Sequence, residues 1–115
     1  MENHFSKLTD KDSFEGLVEK SRERPIIIFK HSLTCSISTS VYEQLSEFDG
    51  EIMLLEIQRN RELSKEIEDR LGVEHESPQV IVLRNGQVVW DASHFSVTPN
   101  GLAKAVQEAA VANEQ

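Results

Sequence analysis

The sequence contains a single cysteine, Cys35, so no disulfide bond can form within the chain. Small proteins of oxidising compartments usually depend on disulfides, and one lone thiol is typical of the reducing cytoplasm. The first ten residues lack the charged and then apolar pattern of a secretory signal. No apolar run approaches the roughly 20 residues that cross a bilayer. We therefore expect a cytoplasmic protein with no membrane partner.

Basic residues are also few. Twelve Lys and Arg stand against twenty Asp and Glu, which gives a net charge of −8. Nucleic acids and anionic membranes require a basic surface, so this balance argues against both as partners. A chain of 115 residues is long enough for one domain of ordinary size. We expect a single domain over residues 1–115, with an ordered core of about 12–110.

Apolar runs and turn signals alternate along the chain in a way that indicates an α/β fold. The unbroken run Ile26–Phe29 is typical of a central strand buried on both faces, and a loop is predicted at 30–34. Asn85-Gly86 predicts a two-residue hairpin turn. The remaining apolar periodicity predicts helices beginning near Asp12 or Ser13, at 35–48, at 60–71 and from Thr98, and strands at 52–57, 79–83 and 87–90.

The resulting order, α-β-α-β-α-β-β-α, predicts a four-stranded mixed sheet. Strands separated by helices pair in parallel through right-handed crossovers, and the hairpin adds an antiparallel strand at the edge. A sheet of this kind with helices on both faces is the thioredoxin-like arrangement, although other small α/β folds come close to it.

Cys35 is predicted to lie at the start of a helix, directly after a strand and a loop. Unpaired backbone N–H groups and the positive end of the helix dipole favour a thiolate there, and the thiolate is the nucleophile. Pro78 directly precedes a predicted strand, where proline is unusual because it cannot donate a ladder hydrogen bond. Each feature also has an ordinary explanation: a lone cysteine is more often a small buried apolar residue, and most X–Pro bonds are trans.

Three segments resemble the monothiol bacilliredoxins of the YtxJ type, which belong to the bacillithiol redox system. Residues 30–38, Lys-His-Ser-Leu-Thr-Cys-Ser-Ile-Ser, are similar to that family's active-site loop. Residues 73–79 resemble its cis-proline loop, and residues 90–94 resemble its last-strand signature. Ser36 departs from the pattern, because many members have proline at that position.

The resemblance implies that the protein removes bacillithiol, a cysteine–glucosamine–malate thiol, from S-bacillithiolated proteins. Cys35 would attack the mixed disulfide and take up the bacillithiol, and a second bacillithiol or a reductase system would regenerate it. Bacillithiol is then a co-substrate, and no bound cofactor is expected. A dithiol thioredoxin carries a second cysteine three residues on, where this chain has Ser38, so the resolving thiol must come from another molecule.

Several side chains near Cys35 and Pro78 are further candidates for the site. Lys30 would favour the thiolate or bind a malate carboxylate, although an exposed lysine is the ordinary interpretation. His31 would hold the thiolate as an imidazolium, although such a histidine is more often solvated. Ser38 would donate a hydrogen bond to the thiolate, and Ser77 would offer its backbone to the incoming peptide or thiol. The expected site comprises Lys30, His31, Thr34, Ser36, Ser38, Ser77 and Pro78 around the catalytic Cys35.

Other interpretations of the same residues stay open. The missing second cysteine and Ser36 are also compatible with a non-catalytic adaptor or a thiol redox sensor. Carriage of an iron–sulfur cluster, as in monothiol glutaredoxins, is a weaker alternative. No metal site is expected, because His31, Cys35, His75 and His94 lack a known ligand spacing.

Overall fold

A computed structural model describes residues 4–112 of the chain. Strands and helices alternate through most of this range, as the apolar pattern predicts. In chain order the elements are β1 (Phe5–Lys7), α1 (Lys11–Lys20), β2 (Ile26–His31), α2 (Ser36–Leu45), β3 (Ile52–Glu56), α3 (Arg61–Leu71), β4 (Gln79–Arg84), β5 (Gln87–Ser93) and α4 (Pro99–Ala112). Short 3-10 turns at 57–59 and 94–96 follow β3 and β5.

The five strands form one mixed sheet in the order β1-β3-β2-β4-β5. β2 is the central strand, parallel to β3 and antiparallel to β4. Lys30 on β2 pairs with Leu55 on β3 and with Gln79, the first residue of β4. The carboxyl ends of β2 and β3 and the beginning of β4 therefore share one edge of the sheet, and the loop that leads to Cys35 leaves from that edge.

Two apolar cores hold this sheet between its helices. All six residues of β2 are buried, because helices cover both faces. Ile27 and Phe29 point into one core with α2 and α4, whereas Ile26 and Ile28 point into the other with α1 and α3. Burial of one such side chain contributes roughly 1.5–3 kcal/mol. The strand that leads to the cysteine loop is thus firmly fixed on both faces.

The predicted thioredoxin-like α/β fold is confirmed, with one strand more than the four expected. The additional strand, β1, has three residues and pairs in parallel with Ile52–Leu54 of β3. Three residues are too few for a period-two pattern to develop, so the sequence gives no signal for it. β1 lies before residue 12, where the ordered core is expected to begin.

Several predicted boundaries move. Lys30 and His31 continue β2, so the predicted loop is wrong at its first two positions. α2 ends at Leu45 rather than at residue 48, and β5 continues past residue 90 to Ser93. α1 is capped by Asp10, whose carboxylate accepts the backbone N–H three residues later at 2.7 Å, rather than by the residues at 12 or 13.

The predicted hairpin turn is confirmed. Asn85 and Gly86 have φ values of 58° and 75°, the left-handed conformation that a two-residue hairpin of this type requires at both positions. Gly72 ends α3 in the left-handed region, with φ 71°. None of the helices within residues 4–112 has the length and apolar character needed to cross a membrane.

Candidate active site

Cys35 is the N-cap residue of α2. Its backbone is extended, with φ −109° and ψ 124°, and its carbonyl accepts the Thr39 N–H at 3.0 Å to begin the helix. The Cys35 side chain makes no capping hydrogen bond and is half-buried. The first N–H groups of α2 therefore have no side-chain acceptor from the cap residue, and such a helix N-terminus is a place where reactive cysteines are found.

Pro78 lies at the same edge of the sheet as the cysteine loop, because it directly precedes β4 and β4 begins beside the end of β2. The Ser77–Pro78 peptide bond is cis. The Pro78 carbonyl accepts the His94 N–H at 2.9 Å, and the turn at 94–96 packs against α2. The proline segment is thus connected through one short turn to the helix that carries Cys35.

Ser38, three residues after Cys35, is completely buried and takes part in the support of the loop. Its Oγ accepts the Ser32 N–H at 2.9 Å and lies 2.7 Å from His31 Nδ1. We expected Ser38 to donate to the thiolate. The structure instead directs its hydroxyl to the end of β2. Ser38, which stands where a dithiol thioredoxin has its second cysteine, therefore holds residues 31–32 through hydrogen bonds.

His31 is buried, and the expectation that it is solvated is wrong. Its ring lies 5.1 Å from the Tyr42 ring and 5.3 Å from the Phe29 ring, measured between centroids. Burial lowers the pKa of His31 from its ordinary value, and the carboxylate of Glu56 opposes that shift only in part. His31 is therefore neutral near pH 7, so the structure does not favour the predicted imidazolium.

Lys30 is also buried, contrary to the ordinary interpretation of a surface lysine. The residue has 0% exposure, and its Nζ has no hydrogen-bond partner within the described part of the chain. Desolvation lowers the pKa of Lys30 to about 8, although Glu68 and Glu76 favour its charged form. Ser77 Oγ is a second buried polar atom without a partner among residues 4–112. Lys30 belongs to the interior behind the loop rather than to a surface that meets a ligand.

Thr34 and Ser36 are the exposed members of the predicted site. They flank Cys35 directly, and Ser36 is the first residue of α2. Thr34 Oγ1 accepts a hydrogen bond from Gln58 Nε2 at 3.3 Å. Sequence reasoning did not identify Gln58. A usable signal existed, because Gln58 lies in the turn directly after β3, and the carboxyl ends of parallel neighbours meet at one edge of a sheet.

The side chains of His75 and His94 lie beside Ser64 and Glu76, respectively. His75 Nδ1 lies 3.5 Å from Ser64 Oγ, and burial lowers the pKa of His75. His94 Nε2 lies 3.8 Å from a carboxylate oxygen of Glu76. Within residues 4–112, no three His, Cys, Asp or Glu side chains come together as a metal site would require.

Solved structures with the same fold are numerous. One described as a candidate oxidoreductase with a thioredoxin fold is 35% identical, with a TM-score of 0.80 over 88% of this chain and 92% of that one. Chloroplast thioredoxin f from spinach is 20% identical, with a TM-score of 0.69 over 95% and 98%. Mitochondrial thioredoxin 3 from Saccharomyces cerevisiae is 16% identical, with a TM-score of 0.67 over 90% and 94%. The last two show likeness of fold alone.

The family is identified by a match to its sequence model. The model described as monothiol bacilliredoxin BrxC matches residues 6–102, which include the cysteine loop, the proline segment and all of β2 to β5. Together with the oxidoreductase fold, this match supports a thiol redox role for the protein. The chain belongs to the monothiol bacilliredoxin family and is built on the thioredoxin fold.

Proposed function

We propose that this protein is a thiol–disulfide oxidoreductase that removes bacillithiol from S-bacillithiolated proteins, with Cys35 as its only reacting thiol. One observation carries the proposal: Cys35 is half-buried at the N-terminus of α2, and the position three residues on is filled by the buried Ser38. The first feature suits a nucleophile. The second leaves no thiol in the chain to complete an internal exchange.

In the first step the Cys35 thiolate attacks the bacillithiol sulfur of the mixed disulfide. A new bond forms between Cys35 Sγ and that sulfur, and the bond between bacillithiol and the substrate cysteine breaks. The substrate cysteine leaves as a thiolate and takes a proton from solvent. The number of disulfides is unchanged, so this step needs no outside oxidant or reductant.

In the second step another bacillithiol thiolate attacks the adduct on Cys35. Cys35 leaves as a thiolate and bacillithiol disulfide is released, so the protein returns to its starting state. A reductase system that supplies a thiol would have the same effect. This route requires the adduct on Cys35 to be reachable from solvent, and the partial exposure of Cys35 supports that requirement.

The proline segment supports the same chemistry. In proteins of this fold the residue before the proline offers its backbone to an extended partner, and Ser77 occupies that position here. Ser77 Oγ is buried, which leaves the main chain rather than the hydroxyl as the feature that Ser77 can present. We propose that the main chain of Ser77 aligns the substrate disulfide beside Cys35.

The direct experiment follows release of bacillithiol from a bacillithiolated substrate protein with catalytic amounts of the purified protein. The parent is expected to release it well above the background rate, and Cys35→Ala is expected to match the background. Intact mass after exposure to bacillithiol disulfide should show one adduct, located at Cys35. Ser40→Ala is a matched control, because Ser40 is exposed on the same helix.

Three outcomes would reject the proposal. Equal release by Cys35→Ala and the parent would mean that Cys35 does not react with the substrate. An adduct on Cys35 without turnover, even with excess bacillithiol, would instead identify a thiol redox sensor. An adaptor would give neither an adduct nor release.

A further inference from the structure

The loop between β2 and α2 is held by the amide of one side chain from another part of the chain. Gln58 Oε1 accepts the Leu33 N–H at 2.9 Å. Gln58 Nε2 donates to Ser32 Oγ at 2.9 Å and to Thr34 Oγ1 at 3.3 Å. One amide thus binds three consecutive residues, and the last of them directly precedes Cys35.

Gln58 is well placed to act as a fixed point. It lies in the 3-10 turn at 57–59, and Ile57 before it is buried, with 7% exposure. The turn directly follows β3, which pairs with β2 as far as His31 and Glu56. The loop and Gln58 therefore leave the sheet from two adjacent strands at the same edge, and the sheet fixes their separation.

The chemistry of the three contacts is specific for an amide. The Leu33 N–H can only donate, so an oxygen must face it, and the NH₂ group then faces the two hydroxyls. A carboxylate would bring a negative charge beside the thiolate position, and a hydrocarbon side chain would bind none of the three groups. A neutral residue that both accepts and donates meets all these conditions.

We propose that Gln58 is a positioning residue for Cys35: its amide fixes residues 32–34 so that the sulfur is held at the N-terminus of α2. Gln58 acts together with Ser38, whose Oγ accepts the Ser32 N–H. The inference rests on Cys35 being the reacting thiol of the proposed function, but it does not depend on the identity of the disulfide that Cys35 attacks.

The test uses a small neutral disulfide, 2,2′-dithiodipyridine, as the probe. The Cys35 thiolate attacks one sulfur of the probe and releases pyridine-2-thione, whose absorbance reports the rate. Gln58→Met keeps the length of the side chain but removes all three hydrogen bonds. A sulfur displaced from the helix N-terminus loses the backbone N–H groups that favour a thiolate, so we expect a fall of roughly tenfold at pH 7. The matched control is Gln44→Met, an exposed glutamine on α2, which should react at the parent rate.

A second measurement separates positioning from general loss of structure. Hydrogen exchange of the Leu33 amide should become at least about tenfold faster in Gln58→Met, while amides of β2 stay protected. Gln58→Glu keeps an acceptor of the same length, so it should restore protection of the Leu33 amide. This variant also preserves a test if Gln58→Met does not fold.

The result that overturns the inference is a Gln58→Met protein with faster Leu33 exchange and an unchanged rate with the probe. Unchanged Leu33 exchange in both Gln58 variants would overturn it as well, because the clamp itself would then be absent. The probe contains no bacillithiol, so these outcomes differ from failure of the proposed function. If the proposed function failed, the parent would still react with the probe but would not release bacillithiol from its substrate.

Discussion

Replacement of Lys30 by methionine is expected to stabilise the protein at neutral pH. Lys30 is fully buried, and its ammonium group has no hydrogen-bond partner within residues 4–112. A buried charge without a partner is costly, whereas methionine has a similar length and no charge. The neighbours of Lys30 in the sheet are Leu55 and Gln79.

The size of the effect follows from the pKa of Lys30, which burial lowers from its ordinary 10.5 to about 8. Each pKa unit corresponds to about 1.4 kcal/mol of difference between the charged and neutral forms. The charged lysine therefore costs the folded state about 3 kcal/mol, already reduced by the attraction of Glu68 and Glu76. We expect Lys30→Met to raise the free energy of unfolding at pH 7 by about 2–3 kcal/mol.

The pH dependence gives this prediction a second, independent signature. Below pH 8 the lysine is charged in both the folded and the unfolded chain, and the full cost is present. Between pH 8 and 10.5 the folded protein has released the proton while the unfolded chain still holds it, so the stability of the parent rises with pH. Lys30→Met lacks this rise, and the advantage of the variant should shrink through that window.

Urea unfolding under reducing conditions at several pH values between 7 and 10 measures both effects. If Lys30→Met had a free energy of unfolding more than about 1 kcal/mol below that of the parent at pH 7, the reasoning would be refuted, because Lys30 would then be a net stabilising partner of Glu68 and Glu76. A constant difference between variant and parent across the window would also refute it. Lys104→Met is a suitable control, since Lys104 is exposed on α4.

Two further predictions concern the second layer of the site. Ser38→Cys places a thiol three residues after Cys35 and removes the hydrogen bonds to Ser32 and His31. In urea unfolding, the free energy of unfolding of the reduced variant should therefore be about 1–3 kcal/mol lower than that of the parent. Mild oxidation should then reduce its free-thiol count to zero without dimer formation, and persistence of both thiols would contradict this. Because burial lowers the pKa of His31, the parent should lose stability as the pH falls below 6.5. His31→Phe, which keeps the ring beside Tyr42, should reduce that loss between pH 7 and 5, and an undiminished loss would contradict the assignment.

The central features of the fold and of the site could be predicted because they depend on local patterns. The run at 26–29 is apolar at every position, and only a strand covered on both faces buries such a run. Cys35 comes where that strand ends and a helical period begins, so its place at a helix N-terminus follows from the chain itself. Pro78 is recognisable for a similar reason: proline cannot donate a ladder hydrogen bond, so a proline directly before a strand is unusual.

The errors arise where tertiary contacts outweigh residue type. Lys30 and His31 are polar, and polarity predicts a loop, yet their main chains pair with β3 and β4 and their side chains are buried. β1 exists because β3 supplies a partner for it. The role of Gln58 depends on contacts across more than twenty residues of sequence, and only the alignment of two parallel strands brings them together.

The supports of the cysteine loop also bear on why one thiol suffices. Ser38 and Gln58 hold the loop through neutral hydrogen bonds, and neither group changes when Cys35 is oxidised. A second cysteine at residue 38 would give up one of these supports in exchange for an internal disulfide. In the proposed mechanism the loop would therefore keep the same two supports when Cys35 forms a mixed disulfide. In the proposed mechanism the resolving thiol would approach from solvent, on the side where Thr34 and Ser36 are exposed.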